Sequence, residues 1–323
     1  MQKALRRLVL AAFCTTMPLA LQAQEWAPTK PVRIVVPITG STNDFVGRLV
    51  ASKLEEILGQ PIIVENKPGA GGNIGANLVA KAQPDGYTLL VGYNGPIAIN
   101  KTLFDNMPYD PQKDLAPITL AVSSPQYLTV TKDLPVKNVA ELVAWSKANP
   151  GKLSYASVAA GSASHLTMEM LKEASGMQAE HVPYRGASPA LVDLVAGNVQ
   201  AAFLVPGNVQ QYVKEKRLKL LASSGEKRFA STPDVPTLIE SGYPGFIATS
   251  WIGFLAPAGT PKNIIDRYNK EIVKILQMPD VQEKLHGIEF EVVGNSPEEF
   301  RKWIDTEVTR WGKVIKSTGA KAS

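Results

Sequence analysis

A chain of 323 residues that is 45% hydrophobic is long enough to bury one large core or two medium ones. Its formal net charge of +5 falls to +2 without Lys3, Arg6 and Arg7, and its charges of both signs are interspersed, which argues against a nucleic-acid partner. Cys14 is the only cysteine and sits in a segment read below as cleaved, so the rest can form no disulfide, thiol nucleophile or cysteine-ligated zinc site.

Residues 1–23 read as a secretory signal peptide: three cations precede an apolar run from Leu8 to about Leu21, and Leu21-Gln22-Ala23 ends on a small residue. Thr15, Thr16 and Pro18 interrupt that run, which is too short for the roughly 20 residues of a membrane span. Val32 to Pro37 is then expected as a strand, closed by a proline with no N–H to donate. Phe45, Val46, Leu49, Val50, Leu54, Ile57 and Leu58 mark a helix face stopped by Gly59, with Asn43 or Asp44 as expected N-cap. The small hydroxyl-rich loop between, Ile38 to Asp44, reads as an anion site or as an ordinary βα connection.

A strand over Pro61–Glu65 leads to Gly69-Ala70-Gly71-Gly72, where a tight or left-handed backbone is expected, and a helix over about Ile74–Ala82. Tyr87–Gly92 is a third strand, followed by Tyr93-Asn94-Gly95-Pro96 and a short helix; this alternation argues for a parallel sheet. After Pro108, Pro111 and Pro117, Tyr127–Val130 reads as the next strand, and Asn138 with Glu141 as a capping box. Two further strand–loop–helix units follow: Leu153–Ala156 before the loop Ser157–Ser164, and His181–Tyr184 before Arg185–Ser188, with Pro189 as first residue of a helix closed by Gly197. Val199–Val205 is an expected strand, with a short one near Leu218–Ala222, and a long irregular stretch from Glu226 to Phe246 leads to the run Ser250–Pro257. The helices opening at Thr260-Pro261 and Ser296-Pro297 carry apolar faces that the first sheet is expected to cover.

The runs Pro61–Ala76 (PIIVENKPGAGGNIGA), Pro84–Leu90 (PDGYTLL), Pro108–Pro111 (PYDP), His181–Gly186 (HVPYRG) and Trp251–Pro261 (WIGFLAPAGTP) resemble the Bug family, the solute-binding proteins of tripartite tricarboxylate transport systems. The motifs lie in order over essentially the whole mature chain. The resemblance implies an α/β periplasmic binding protein of type II, in which two α/β lobes hinge shut on a ligand cleft. Lobe 1 is expected over residues 25–124 plus 245–323, and lobe 2 over 125–244. It also implies a periplasmic monomer that binds a small carboxylate and hands it to membrane transporter subunits, without cofactor, metal or chemistry on the ligand. The implied ligand contacts are Thr39, Gly40, Ser41, Thr42, Asn43, Asp44, Tyr93, Asn94 and Gly95 from one lobe. From the other come Ala159, Gly161, Ser162, Ala163, Ser164, Tyr184, Arg185 and Leu204.

Two departures from the family pattern bear on the ligand. The first loop lacks the usual Gly-Gly pair and is one residue shorter. Phe203-Leu204-Val205 stands where many members have Phe-Asp-Asn, whose Asp can hold an ammonium group; the expected ligand is therefore an acid without an α-amino group, with an apolar or aromatic body against Tyr93, Leu204 and Val205. Arg185 reads either as counter-charge to a second carboxylate or as one half of a rim ion pair. Trp251 is expected in hinge packing, His165 as a hydrogen-bonded structural residue, and His181 and His286 as structural or surface residues, with no metal-ligand spacing among them. An enzyme is disfavoured: Ile74 occupies the third glycine position of a dinucleotide loop and no G-x-S-x-G elbow occurs. A periplasmic sensor that binds the same acid for a signalling partner remains the rival reading.

Overall fold

The computed structural model describes residues 26–229 and 231–321; the expected signal segment and Cys14 lie outside them. Two mixed sheets form the scaffold. In the first, β1 (Val32–Val36) lies between β2 (Ile62–Asn66) and β3 (Thr88–Tyr93), all parallel. β10 (Thr249–Pro257) runs antiparallel beside β3, followed by β4 (Leu115–Pro125) and the two-residue β11 (Glu291–Val292). In the second, the order is β7 (Glu180–Pro183), β6 (Ser154–Ser157), β8 (Ala201–Leu204), β5 (Tyr127–Thr131) and β9 (Leu218–Ser223). Here β6 is parallel to β7 and β8, whereas β5 is antiparallel to both its neighbours.

The parallel arrangement expected from the first three strands holds for β1, β2 and β3, and antiparallel strands are added to it. Two of the antiparallel members, β5 and β10, are strands at which the chain enters one sheet from the other: β4 runs into β5 through Gln126, and β10 re-enters the first sheet after the irregular stretch that follows β9. The eleven-residue β4 has no counterpart in the sequence reading, which passes from Pro108, Pro111 and Pro117 directly to the strand at Tyr127. Pro117 is tolerated opposite Leu255, where the register with β10 shifts at a bulge, and Pro125 ends the strand.

Period-two burial partitions the core. Val32, Ile34 and Val36 of β1 face a cluster with Val46, Val50 and Leu54 of α1 (Thr42–Leu58) and with Ile264, Tyr268 and Ile272 of α8 (Lys262–Leu276). Val35 faces the opposite cluster with Ala76 and Val79 of α2 (Asn73–Ala80) and Phe300, Ile304 and Trp311 of α10 (Pro297–Thr318). That second cluster continues without a break into the other sheet, taking in Leu128, Val130, Tyr155, Phe203, Leu142 of α4 (Val139–Ala148) and Leu166 and Leu171 of α5 (Ala163–Ser175). The far face of sheet two is covered by α6 (Ala187–Ala196) and α7 (Pro206–Lys214) through Ala190, Leu194 and Val209.

The expected cover of sheet one by the two C-terminal helices holds, with one addition: α10 also reaches the second lobe, where Ser317 Oγ donates to Glu173 of α5 at 2.8 Å. Its N-terminus carries the expected capping box of Ser296 and Glu299. At α4 Asn138 caps as expected, but Glu141 reaches back to the Lys137 amide, at 2.8 Å, one residue further than a capping box would.

Candidate functional site

In sheet one the strand β1 delivers the chain to the loop before α1. Ser41 is the N-cap: its Oγ accepts from the Asp44 amide at 3.4 Å, displacing the expected caps Asn43 and Asp44 into the first turn. The chain therefore enters the helix earlier, and the Thr42 and Asn43 amides stand at the helix start without intrahelical acceptors. Thr39 and Gly40 are exposed, and the Thr39 and Thr42 hydroxyls and the Asn43 amide group make no hydrogen bond to another described residue. Asp44 differs. Its Oδ1 accepts from Asn66 Nδ2 at 2.8 Å and Arg48 Nε at 3.1 Å, while Asn66 Nδ2 also donates to the Ile38 carbonyl. Burial works against its ionisation, but the bonds from Asn66 and Arg48 outweigh it and hold the carboxyl below its ordinary range. Asp44 braces the loop and has no free face for an anion.

The second lobe repeats the arrangement. β6 runs into a loop that ends at Ser162, N-cap of α5, whose Oγ accepts from the His165 amide at 3.3 Å and donates to the Ala159 carbonyl at 2.7 Å. The Ala163 and Ser164 amides then stand free of intrahelical acceptors. Ser164 is only 5% exposed and its Oγ accepts from the Val158 amide, so it braces the loop where a ligand contact was expected. Gly161 is buried at φ +71°; a Cβ there would overlap Leu103 Cδ2 and lie 3.1 Å from its Cγ, so only glycine lets this loop close on the first lobe. Its amide is already committed to His165 Nδ1 at 2.9 Å.

Asn94 is likewise structural. It is 4% exposed, donates to the Thr249 carbonyl and to Glu307, and accepts from the Trp251 amide. Tyr93 places its hydroxyl 3.3 Å from the Gly71 carbonyl, and burial pushes its phenol up, keeping it neutral. Gly72 makes room for that ring: a Cβ there would lie 2.5 Å from the Tyr93 hydroxyl. Gly95 opens the single wide turn Gly95–Ile99. Leu204 is 2% exposed and packs into the sheet-two cluster with Tyr184, whose hydroxyl donates to Asp193 at 2.6 Å. A ligand body against Leu204 would have to displace that packing. Arg185 is exposed and forms no ion pair with a described residue, which removes the rim-pair reading. Its neighbours are tied to the loop before α5, Tyr184 N to the Ser157 carbonyl and Gly186 N to the Val158 carbonyl. The helix after it starts at Ala187, capped by Gly186, two residues before the expected Pro189.

Two groupings had no counterpart in the sequence reading. Beneath the second-lobe loop, the rings of His165 and His181 stack at 3.8 Å and 5°, with Tyr155 next at 5.0 Å from His181. Behind Asn94, Glu307 is fully buried; its Oε2 accepts from Trp251 Nε1 and Trp311 Nε1, both at 2.9 Å, and its Oε1 from Arg310 at 2.8 Å. Trp251 is buried in β10, edge-on to Phe300, and Glu307 is what holds its indole. No sequence signal marks Glu307, since its partner Asn94 is 213 residues away.

The family model of the tripartite tricarboxylate transporter family receptor matches residues 46–320 of this chain. Protein BugT of Bordetella pertussis is 34% identical over 316 residues, covering 97% of each chain. Among solved structures, R. palustris Rpa4515 with adipate superposes at a TM-score of 0.82 and 35% identity, covering 92% of this chain and 99% of that one. MatC from Rhodopseudomonas palustris with bound malate superposes at 0.78 and 33% identity, covering 89% and 99%.

Proposed function

Because this chain belongs to the tripartite tricarboxylate transporter receptor family, two-lobed periplasmic solute-binding proteins and not enzymes, we propose that it captures a small organic carboxylate in its interlobe cleft. The lobes are residues 25–124 with 245–323, and 125–244. One observation carries the reading: each lobe offers a serine-capped helix start at the end of a parallel strand, α1 after β1 and α5 after β6, with two amides free of intrahelical acceptors. Such amides and the helix dipole favour an anion. The uncommitted Thr39 and Thr42 hydroxyls and the Asn43 amide group add donors in lobe 1, and the loop edges Gly40, Ala159 and Ala163 let a ligand approach backbone.

The acid lacks an α-amino group. Leu204 can offer an ammonium no acceptor, and the carboxylates named with the similar structures, adipate and malate, carry none. Arg185, exposed and without an ion pair to a described residue, supports a second carboxylate on the ligand. In the cell the chain is exported by its N-terminal signal, acts as a monomer and delivers the acid to the transporter's membrane subunits.

The test is the melting temperature of the mature protein against mono- and dicarboxylic acids, adipate and malate included, and amino acids. A ligand at 100 times its Kd stabilises the native state by about 2.7 kcal/mol. A shift confined to acids without an amino group supports the reading. No shift with any acid, for protein stripped of bound ligand and correctly folded, refutes it.

A further inference from the structure

Nothing in the anion-binding reading requires the ring stack beneath the second-lobe loop, yet the loop is built on it. Ser157 Oγ donates to the Ala159 carbonyl at 2.9 Å, so its remaining contact, 2.7 Å from His181 Nε2, is one in which His181 donates. Ser162 Oγ reaches the same Ala159 carbonyl. On the other side of the loop the Gly161 amide donates to His165 Nδ1, which must therefore carry a lone pair, with the ring proton on Nε2. The His165 ring is in this way assigned as neutral, and it stacks on His181 at 3.8 Å.

We propose that His165 is a positioning residue for the anion loop of the second lobe: its unprotonated Nδ1 pins the Gly161 amide, so residues 159–162 keep their shape only while this ring is neutral. A proton on Nδ1 would set two N–H donors against each other across 2.9 Å and put a cation on the face of His181. Gly161 cannot simply slide away, because it is wedged on Leu103 of α3 (Asn100–Leu103) in the first lobe. Release of its amide thus moves the loop that precedes the free amides of α5.

Charged and titratable groups face the His165 ring from β6, β7 and its own helix. His181 comes from β7 and Tyr155 from β6; Glu169 and Lys172 lie on the same helix as His165, and Glu169 is engaged by both Lys172 at 2.7 Å and the Tyr155 hydroxyl at 2.5 Å. Burial first, then His181, hold His165 down to about 4; Glu169 pulls the other way and Lys172 partly cancels it. His181 is depressed by the same burial.

The effect on binding rests on the reading of this loop as a ligand loop, but the pinning itself can be tested without ligand. In the 15N-labelled ligand-free protein, the Gly161 amide shift and exchange protection would be followed beside the His165 ring nitrogens from pH 7 to pH 4. The expected result is a protected amide at pH 7 that loses about tenfold in protection in step with protonation of His165. His165→Phe keeps a stackable ring without the acceptor and should leave Gly161 unprotected throughout. His165→Asn places a non-titrating oxygen near the Nδ1 position and should keep it protected at both ends. A Gly161 amide indifferent to protonation of His165 would overturn the proposal, as would full protection in His165→Phe. Should that variant fail to fold, the wild-type titration decides alone. With adipate and malate as probes, affinity should fall more steeply in the wild type than in His165→Asn over the same pH range, the fall common to both being protonation of the acid itself. A pinned amide with no binding of any acid would count against the ligand reading and leave the pinning standing.

Discussion

Replacing Glu307 by alanine removes the acceptor for two indole N–H groups that have no other way to pair. Trp311 and Trp251 are 0% and 1% exposed, and both donate to the same carboxylate oxygen. Asn94 loses one bond but keeps its 3.0 Å bond to the Thr249 carbonyl, so it is not orphaned. Each unpaired buried donor costs about 1–3 kcal/mol, which gives about 2–6 kcal/mol before any water enters the vacated space. Part of this is returned, because burial already pushes the Glu307 carboxyl up despite the bonds from Trp251, Arg310, Trp311 and Asn94. We expect a net loss of about 3–4 kcal/mol, a large share of the stability of an ordinary domain. Glu307→Gln keeps one oxygen for the indoles but turns a donor toward Arg310, and should lose about half as much. Urea unfolding followed by tryptophan fluorescence and circular dichroism measures both. An alanine variant within 1 kcal/mol of wild type at an unchanged slope would show that the buried carboxylate does not organise this region.

Gly161→Ala combines a left-handed backbone, at about 1–2 kcal/mol, with overlap against Leu103, and should weaken ligand binding more than it destabilises the fold; calorimetry on Gly161→Ala/Leu103→Ala should recover the steric part alone. The histidine stack predicts an acid-sensitive fold. His165 has its folded value, about 4, below its ordinary 6.5, so the unfolded chain takes up the proton first; stability is intact above pH 6.5 and is lost as pH falls toward 4. The loss should be about 2–3 kcal/mol allowing for partial exposure, and absent from His165→Asn in denaturation series run across that range. Aspartate and glutamate should give no heat of binding in calorimetry where a matching acid without the amino group does; submicromolar affinity for either would show that the cleft supplies an ammonium acceptor other than residue 204.

Much of the framework was legible because its signals are local. The β-branched run Val32–Val36, the left-handed stops at Gly59 and Gly197 and the Ser296–Glu299 box each depend on residues a few positions apart, and they stand as read. The anion-type loops before α1 and α5 were also visible as hydroxyl-rich breaks between a strand and a helix. Which of their side chains are free was not. Asp44, Asn94 and Ser164 had the right chemistry and position for ligand contacts, but Asn66, Glu307 and the Val158 amide occupy them. The two prolines of β4 hid a strand whose pairing is set by β10, more than 120 residues further on. The stacked pair His165 and His181 and the carboxylate of Glu307 depend on β6, β7, α5, β10 and α10 coming together in space. Local backbone preference is written within a turn or two of chain, so sequence alone settles where helices and strands begin and what chemistry each loop carries. Burial and pairing are properties of contacts between distant segments, and only the packed structure decides which polar groups hold the protein together and which remain open to a ligand.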